Sequence, residues 1–187
     1  MTKRMGDPMS VDHEFMNGVR AAFGPELASG TLHVVGHSYS QEAFGNAEAI
    51  LACSEFRLKL ARSRSEQFAE LAHPKFPEEW NWLQLVIRAF RGEEEVEHNY
   101  EIDFEMAANL LRANRELLAQ GFTKGWGRTT RARLRRLKEE HTRRVTEWLQ
   151  SAEGKRWKAE TDAAIEQELA TPSPELLEVL RQLNLKP

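Results

Sequence analysis

Residues 56–60 read Phe-Arg-Leu-Lys-Leu. Apolar and basic residues alternate here, and successive side chains of a strand point to opposite faces. The segment therefore predicts a strand with Phe56, Leu58 and Leu60 on a core and with Arg57 and Lys59 in water. Working outward, Ala47 to Ala52 predicts a preceding strand. Gln67 to Ala72 predicts a following one, with Phe68 as its main apolar anchor. Short connections around Cys53-Ser54-Glu55 and Ser63-Arg64-Ser65 join the three as an antiparallel meander within 44–72. A meander of this size has to cover its apolar face. The run from Pro77 to Phe90 supplies a cover, a helix with Trp82, Leu83, Val86, Ile87 and Phe90 as its apolar stripe. Pro77 and Glu78 suit its first turn.

Upstream, Ser10 caps a helix in which Phe15, Val19 and Phe23 recur every fourth residue, until Gly24 and Pro25 end it. Thr31 to Val35 is rich in β-branched residues and predicts a short strand that Gly36 interrupts. Downstream the period changes to 3.6. Ile102, Met106, Leu110, Leu111, Asn114, Leu117 and Leu118 trace one helical face ending at Gly121, and GFTKGWG over 121–127 reads as a loop. A long helix then starts at Thr129 or Thr130, with Leu134, Leu137, His141, Val145 and Trp148 on its apolar side. The three residues Leu137, Val145 and Trp148 are expected to pack in the core. A further helix runs to Leu169, and a last one from Pro174 to Leu183. The fold class predicted is α+β, a small antiparallel β-meander packed with helices, followed by a predominantly helical C-terminal half. A boundary near 92–100 divides it into residues 1–92 and 93–187, sharing one core.

The chain has 187 residues, a formal charge of −3 and a single cysteine, Cys53. A chain of this length buries about 70% of its unfolded surface as one domain. The charge gives no global attraction to nucleic acid or to an anionic membrane. One cysteine excludes an intramolecular disulfide and a thiolate cluster. The first residues lack an apolar signal core, no apolar run approaches membrane-spanning length, and a cytoplasmic protein is expected.

Charge is segregated locally. Glu93, Glu94, Glu95, Glu97, Glu101, Asp103 and Glu105 form an acidic run without an intervening lysine or arginine. Between Arg128 and Arg144 stand eight basic residues, opposed only by Glu139 and Glu140. Arg128, Arg135, Arg136 and Arg143 share the helix sector opposite Leu134 and Trp148. They can follow a phosphate backbone, but a solvated face or a protein-partner surface is the favoured reading. The plainer reading is a solvated face, blunted by pairs four residues apart from Glu139 and Glu140 to the neighbouring arginines. The acidic run can likewise neutralise the basic helix within the molecule or meet a basic partner.

Chemistry-bearing motifs are absent. GFTKGWG fits neither a P-loop nor a dinucleotide fingerprint, although Lys124 and Arg128 at a helix start can hold an anion. The six histidines include no HExxH; His33 and His37 approach each other only if a turn brings them together, with His13 as a further candidate. His141, on the apolar side, reads as a core or interface histidine. Ser38, Cys53 and Ser54 lack a nucleophile elbow or a local base. No cofactor, metal or catalytic residue is assigned. The segment from Phe44 to Phe90, with FGN at 44–46, FRLKL at 56–60 and the aromatic run after Pro77, loosely resembles small bacterial proteins that include immunity-like ones. The resemblance covers about a quarter of the chain, carries no diagnostic motif and transfers no residue role.

The sequence thus predicts a non-catalytic protein-interaction module, an inhibitor or immunity-type protein that occludes a protein partner. Its contact residues are Glu93, Glu94, Glu95, Glu97, Arg128, Arg135, Arg136 and Arg143. A nucleic-acid-associated protein using 128–144 is the first alternative and a small enzyme the second. A membrane partner is not expected, and a homo-oligomer is left open.

Overall fold

The structure is a computed structural model that describes residues 8–40, 46–63, 66–94 and 101–170, with side chains from His13 onward except Ile165, Glu168 and Leu169. Its elements are α1 (Pro8–Ala28), β1 (His33–Ser40), β2 (Asn46–Ala52), β3 (Arg57–Ser63), β4 (Glu66–Ala72), β5 (Asn81–Trp82), α2 (Leu83–Arg91), α3 (Phe104–Ala113), α4 (Arg115–Gln120), a π-helical turn (Gly121–Gly125), α5 (Arg128–Gln150) and α6 (Ala152–Ala170). This is the α+β arrangement predicted, an antiparallel meander in chain order β1-β2-β3-β4-β5 followed by helices. The described residues divide into two compact units, one up to His141 and one from Thr142, so the division falls inside α5.

The alternation at 56–60 sets the sheet's inner face. Leu58 pairs with Leu51 and Leu71, and Leu60 with Ala49 and Ala69. All six are fully buried. On the other face Lys59 stands opposite Glu70 and forms an ion pair with it, an opposite-charge cross-strand pair of the kind that favours one register. The inner face meets Phe15, Val19 and Phe23 of α1, Val86 of α2, Phe104, Ala107 and Leu111 of α3, and Leu118 of α4 in one cluster. Residues from both sides of Gly92 therefore build the same core.

Helix α1 does not end at Gly24 and Pro25 but continues to Ala28 past the irregular Phe23, and four further details of the first unit depart from the sequence reading. Strand β1 does not stop at Gly36 but runs on to Ser40, because a register shift between Val34 and Gly36 absorbs the irregularity as a bulge. Phe68 is only half-buried, and the inward residues of β4 are Ala69 and Leu71. The strand's phase follows its partners: Phe68 stands opposite Ala61, on the face away from Leu58 and Leu60. Helix α2 begins at Leu83, not at Pro77. A proline with φ near −65° suits a turn as well as a first helical turn, and here Pro77 and Glu78 lie in a turn closed by Glu79 N–H on the Phe76 carbonyl (3.1 Å). That leaves Asn81 and Trp82 to pair with Leu71 and Glu70 as a fifth strand.

The fourth concerns 102–127. The expected single face is two helices, broken at Asn114 (φ −117°, ψ 15°). The Asn114 side chain stabilises the break by donating to the Leu110 carbonyl (2.8 Å) and accepting from Arg91 (2.7 Å). The stretch expected as a loop winds into the π-helical turn, which brings Gly121 against Phe90. A Cβ at Gly121 would lie 2.4 Å from that ring, so glycine is needed for the close approach. Gly92, at φ 79°, closes α2 in the left-handed region.

In the second unit, the Ser151 hydroxyl accepts from Gly154 N–H (3.1 Å) and starts α6. Trp148 is half-buried there against Trp157, with ring centroids 5.5 Å apart. The expectation of a core Trp148 packed with Leu137 and Val145 is corrected. Along α5 burial is deep only at Leu134 and Leu137, and Val145 is half-buried. The apolar spacing continues past His141, but it says nothing about how much surface is available to cover it. The final helix expected at 174–183 lies outside the described residues.

Candidate partner-binding surface on the basic helix

The eight basic residues of 128–144 do not form one surface. Arg131 chelates Glu79, its Nε donating to Oε2 (3.1 Å) and a second guanidinium nitrogen to Oε1, and it lies over the Phe76 ring at 4.7 Å. Arg133 donates to the Ala89 carbonyl (3.1 Å). Lys138 donates to the Trp80 carbonyl (2.9 Å), and burial pushes its pKa below the ordinary lysine value. With Leu134 and Leu137 buried and His141 edge-on to Trp82 (5.0 Å), these three cations hold the first half of α5 to its own unit.

Arg128, Arg135 and Arg136 are exposed and carry no ion pair among the described residues. The blunting pairs that Glu139 and Glu140 offered to Arg135 and Arg136 do not form. Arg143, in the second unit, is also exposed and is ion-paired with Glu147. Sequence spacing thus placed the outward arginines, but it counted Arg131, Arg133 and Lys138 with them.

The acidic run behaves differently. Glu93 folds back on α2, 3.7 Å from Arg88 and 3.5 Å from Arg91. Asp103 caps α3 by accepting from Met106 N–H (2.7 Å). Glu94 is exposed; Glu95 and Glu97 lie outside the described residues. Of the acidic side chains that the sequence grouped, Glu93 and Asp103 serve local helix ends.

Between residues 78–81 and the first turns of α5 opens a cleft of 340 Å³, lined in part by Trp80, Trp126, Arg131, Arg135 and Lys138. Trp80 is gripped from the sheet side by Arg57 (5.5 Å) and Lys59 (4.9 Å). Trp126 stacks on Phe122 (4.8 Å, 23°) and on His73 (5.8 Å, 23°). Sequence reasoning missed Lys138 as a wall of this cleft. The available signal was its position four residues after Leu134 and next to Leu137, on the flank of the apolar face.

Cys53 is half-buried, its Sγ donates to the Phe56 carbonyl (3.6 Å), and burial pushes the thiol up, away from the thiolate a nucleophile needs. His73 accepts from Lys75 N–H through Nδ1 (3.0 Å), and burial lowers its pKa, which favours a neutral ring stacked in the aromatic cluster. His33 and His37 share β1, but their register partners Ala52 and Ala49 lie on opposite faces. Four residues would normally return to the same face; the bulge reverses it. Among the described residues no three His, Cys, Asp or Glu side chains converge on a metal-sized site. No helix of the described residues is long and apolar enough to cross a membrane.

Comparison with known proteins returns no matching family model, no matching curated protein and no matching solved structure. Any functional reading therefore rests on the residues themselves.

Proposed function

We propose that the protein is a non-catalytic protein-interaction module, an inhibitor or immunity-type protein of the cytoplasm that occludes a partner. The outward arginines of α5 make the contact, together with Glu93, Glu94, Glu95 and Glu97. The observation that carries the reading is the division of the basic helix. Arg131, Arg133 and Lys138 are engaged within the fold, which leaves Arg128, Arg135, Arg136 and Arg143 facing out. Four cations release about 3.6 counterions from duplex nucleic acid at most, on a chain whose net charge is −3. That is a weak electrostatic hold on a polyanion. It is ample to steer and orient an acidic protein surface.

The guanidiniums of Arg128, Arg135 and Arg136, exposed and without an ion pair among the described residues, also support the second reading, a nucleic-acid-associated protein. One comparison separates the two. Affinity capture from the native cells, with the wild-type protein and with R128Q/R135Q/R136Q/R143Q as baits, is expected to recover a protein that the variant loses. That recovery is expected to survive nuclease digestion. Capture abolished by nuclease assigns the surface to nucleic acid instead.

A further inference from the structure

The cleft beside α5 holds a positive charge that its own walls do not answer. Lys138 is half-buried, and among the described residues its ammonium bonds only the Trp80 carbonyl. Two carboxylates, Glu70 and Glu79, act on it, and each already has a cation of its own: Lys59 for Glu70, Arg131 for Glu79. Lys59 adds a further positive charge from the sheet. An ammonium withdrawn from water without a counter-ion is costly, and an arriving carboxylate relieves that cost. Arg135, three residues before Lys138, lines the same cleft, exposed and without an ion pair. Trp80 and Trp126 form aromatic wall, and of the lining carboxylates only Glu78, exposed, lacks a cation.

We propose that this cleft is the anchor site for an acidic side chain of the partner protein, an aspartate or glutamate whose carboxylate bonds Lys138 and Arg135 while its stem lies against Trp80 and Trp126. The inference rests on the protein-interaction reading and adds the residue chemistry of the partner. Charge complementarity selects the occupant: the two unanswered cations, Lys138 and Arg135, outnumber the one lining carboxylate without a cation, the exposed Glu78, and a recess of 340 Å³ admits one side chain with its neighbours. A partly desolvated, aromatic-walled recess is where a single anchor contributes most to an interface.

The probe is a fluorescein-labelled peptide of alternating glutamate and leucine, compared with its glutamine counterpart and with inorganic phosphate as competitor. Anisotropy is expected to show the glutamate peptide binding about tenfold or more tightly than the glutamine one, and K138M and R135Q are each expected to remove most of that preference. K155Q, outside the cleft, is expected to leave binding unchanged. Amine-reactive labelling of the wild-type protein provides a readout independent of any variant's folding: the glutamate peptide is expected to protect Lys138 and not Lys124 or Lys155. Equal binding of the two peptides, an unprotected Lys138, or displacement by phosphate at concentrations where free glutamate has no effect each overturns the proposal. Loss of binding in R128Q/R136Q with K138M unaffected overturns the cleft alone and leaves the interaction reading standing. Binding of RNA in place of either peptide overturns both.

Discussion

Replacing Arg112 by methionine is expected to destabilise the first compact unit by about 3 kcal/mol. Glu26 follows the irregular residue Phe23 of α1 and is 7% exposed. Its carboxylate accepts from Arg112 Nε (2.7 Å) and Nη2 (2.9 Å), and the same guanidinium donates to the Ala22 carbonyl (2.6 Å). One side chain of α3 thus bonds both a carboxylate and a backbone carbonyl of α1. Breaking a buried pair by removing one partner costs about 3–5 kcal/mol because the other charge stays buried. The lower end applies, since the Arg112 side chain is itself 37% exposed. The hydrogen bonds from Arg112 hold the Glu26 carboxyl below its ordinary value. A depressed folded pKa stabilises the fold above the unfolded value of about 4.3, and the benefit disappears as pH falls through the lower folded value. The difference between wild type and R112M in urea unfolding is therefore expected to be full at pH 7 and to shrink below about pH 4. Substituting both residues, E26L with R112M, is expected to recover much of the loss. A single variant as stable as wild type at pH 7 contradicts the assignment.

Phe122→Ala carries the larger expected effect, about 3–5 kcal/mol. Phe122 is 2% exposed and sits at the centre of an aromatic group, with ring centroids 4.8 Å from Trp126, 5.4 Å from Phe90, 5.7 Å from Phe56 and 6.1 Å from His73. The π-helical turn exists at this place because Gly121 lets the backbone reach Phe90 and drives Phe122 inward. Truncation leaves a cavity and removes the support of Trp126, one wall of the cleft. Unfolding by urea is expected to show the loss, and tryptophan emission of the folded variant is expected to shift to the red. Trp148→Ala, on a half-buried residue of the second unit, is expected to cost far less. An F122A variant within about 1 kcal/mol of wild type would show that this cluster is not core.

The contrast between these residues shows what could be read from the chain. Alternation at 56–60 identified β3, its inward leucines and the meander around it, because period-two patterning survives whenever one face is buried. The 3.6-residue pattern after Asp103 identified the helices for the same reason. Phe68 was misplaced because a single large apolar residue outweighed the alternation of Ala69 and Leu71, which only cross-strand register reveals. Pro77 was misplaced because proline's fixed φ suits two structures, and the pairing of Asn81 with Leu71 decides between them. The outward arginines were visible in the helical spacing. Arg131, Arg133 and Lys138 were not, since long cationic side chains bury their stems and reach carbonyls or carboxylates on other elements. The partners that draw them in, Glu79, Ala89 and Trp80, are 52, 44 and 58 residues away.

On the function proposed, α5 presents a limited cationic surface to a protein rather than a track for nucleic acid. A salt titration of the wild-type protein against duplex DNA, single-stranded DNA and RNA tests it most directly. Near 150 mM salt the dissociation constants are expected to be no tighter than roughly 10⁻⁴ M, the weak end of non-specific binding. Any residual affinity should fall with a log–log slope no steeper than about −3.6. Micromolar or tighter binding near that salt concentration, abolished in R128Q/R135Q/R136Q/R143Q, would contradict it and assign the helix to nucleic acid.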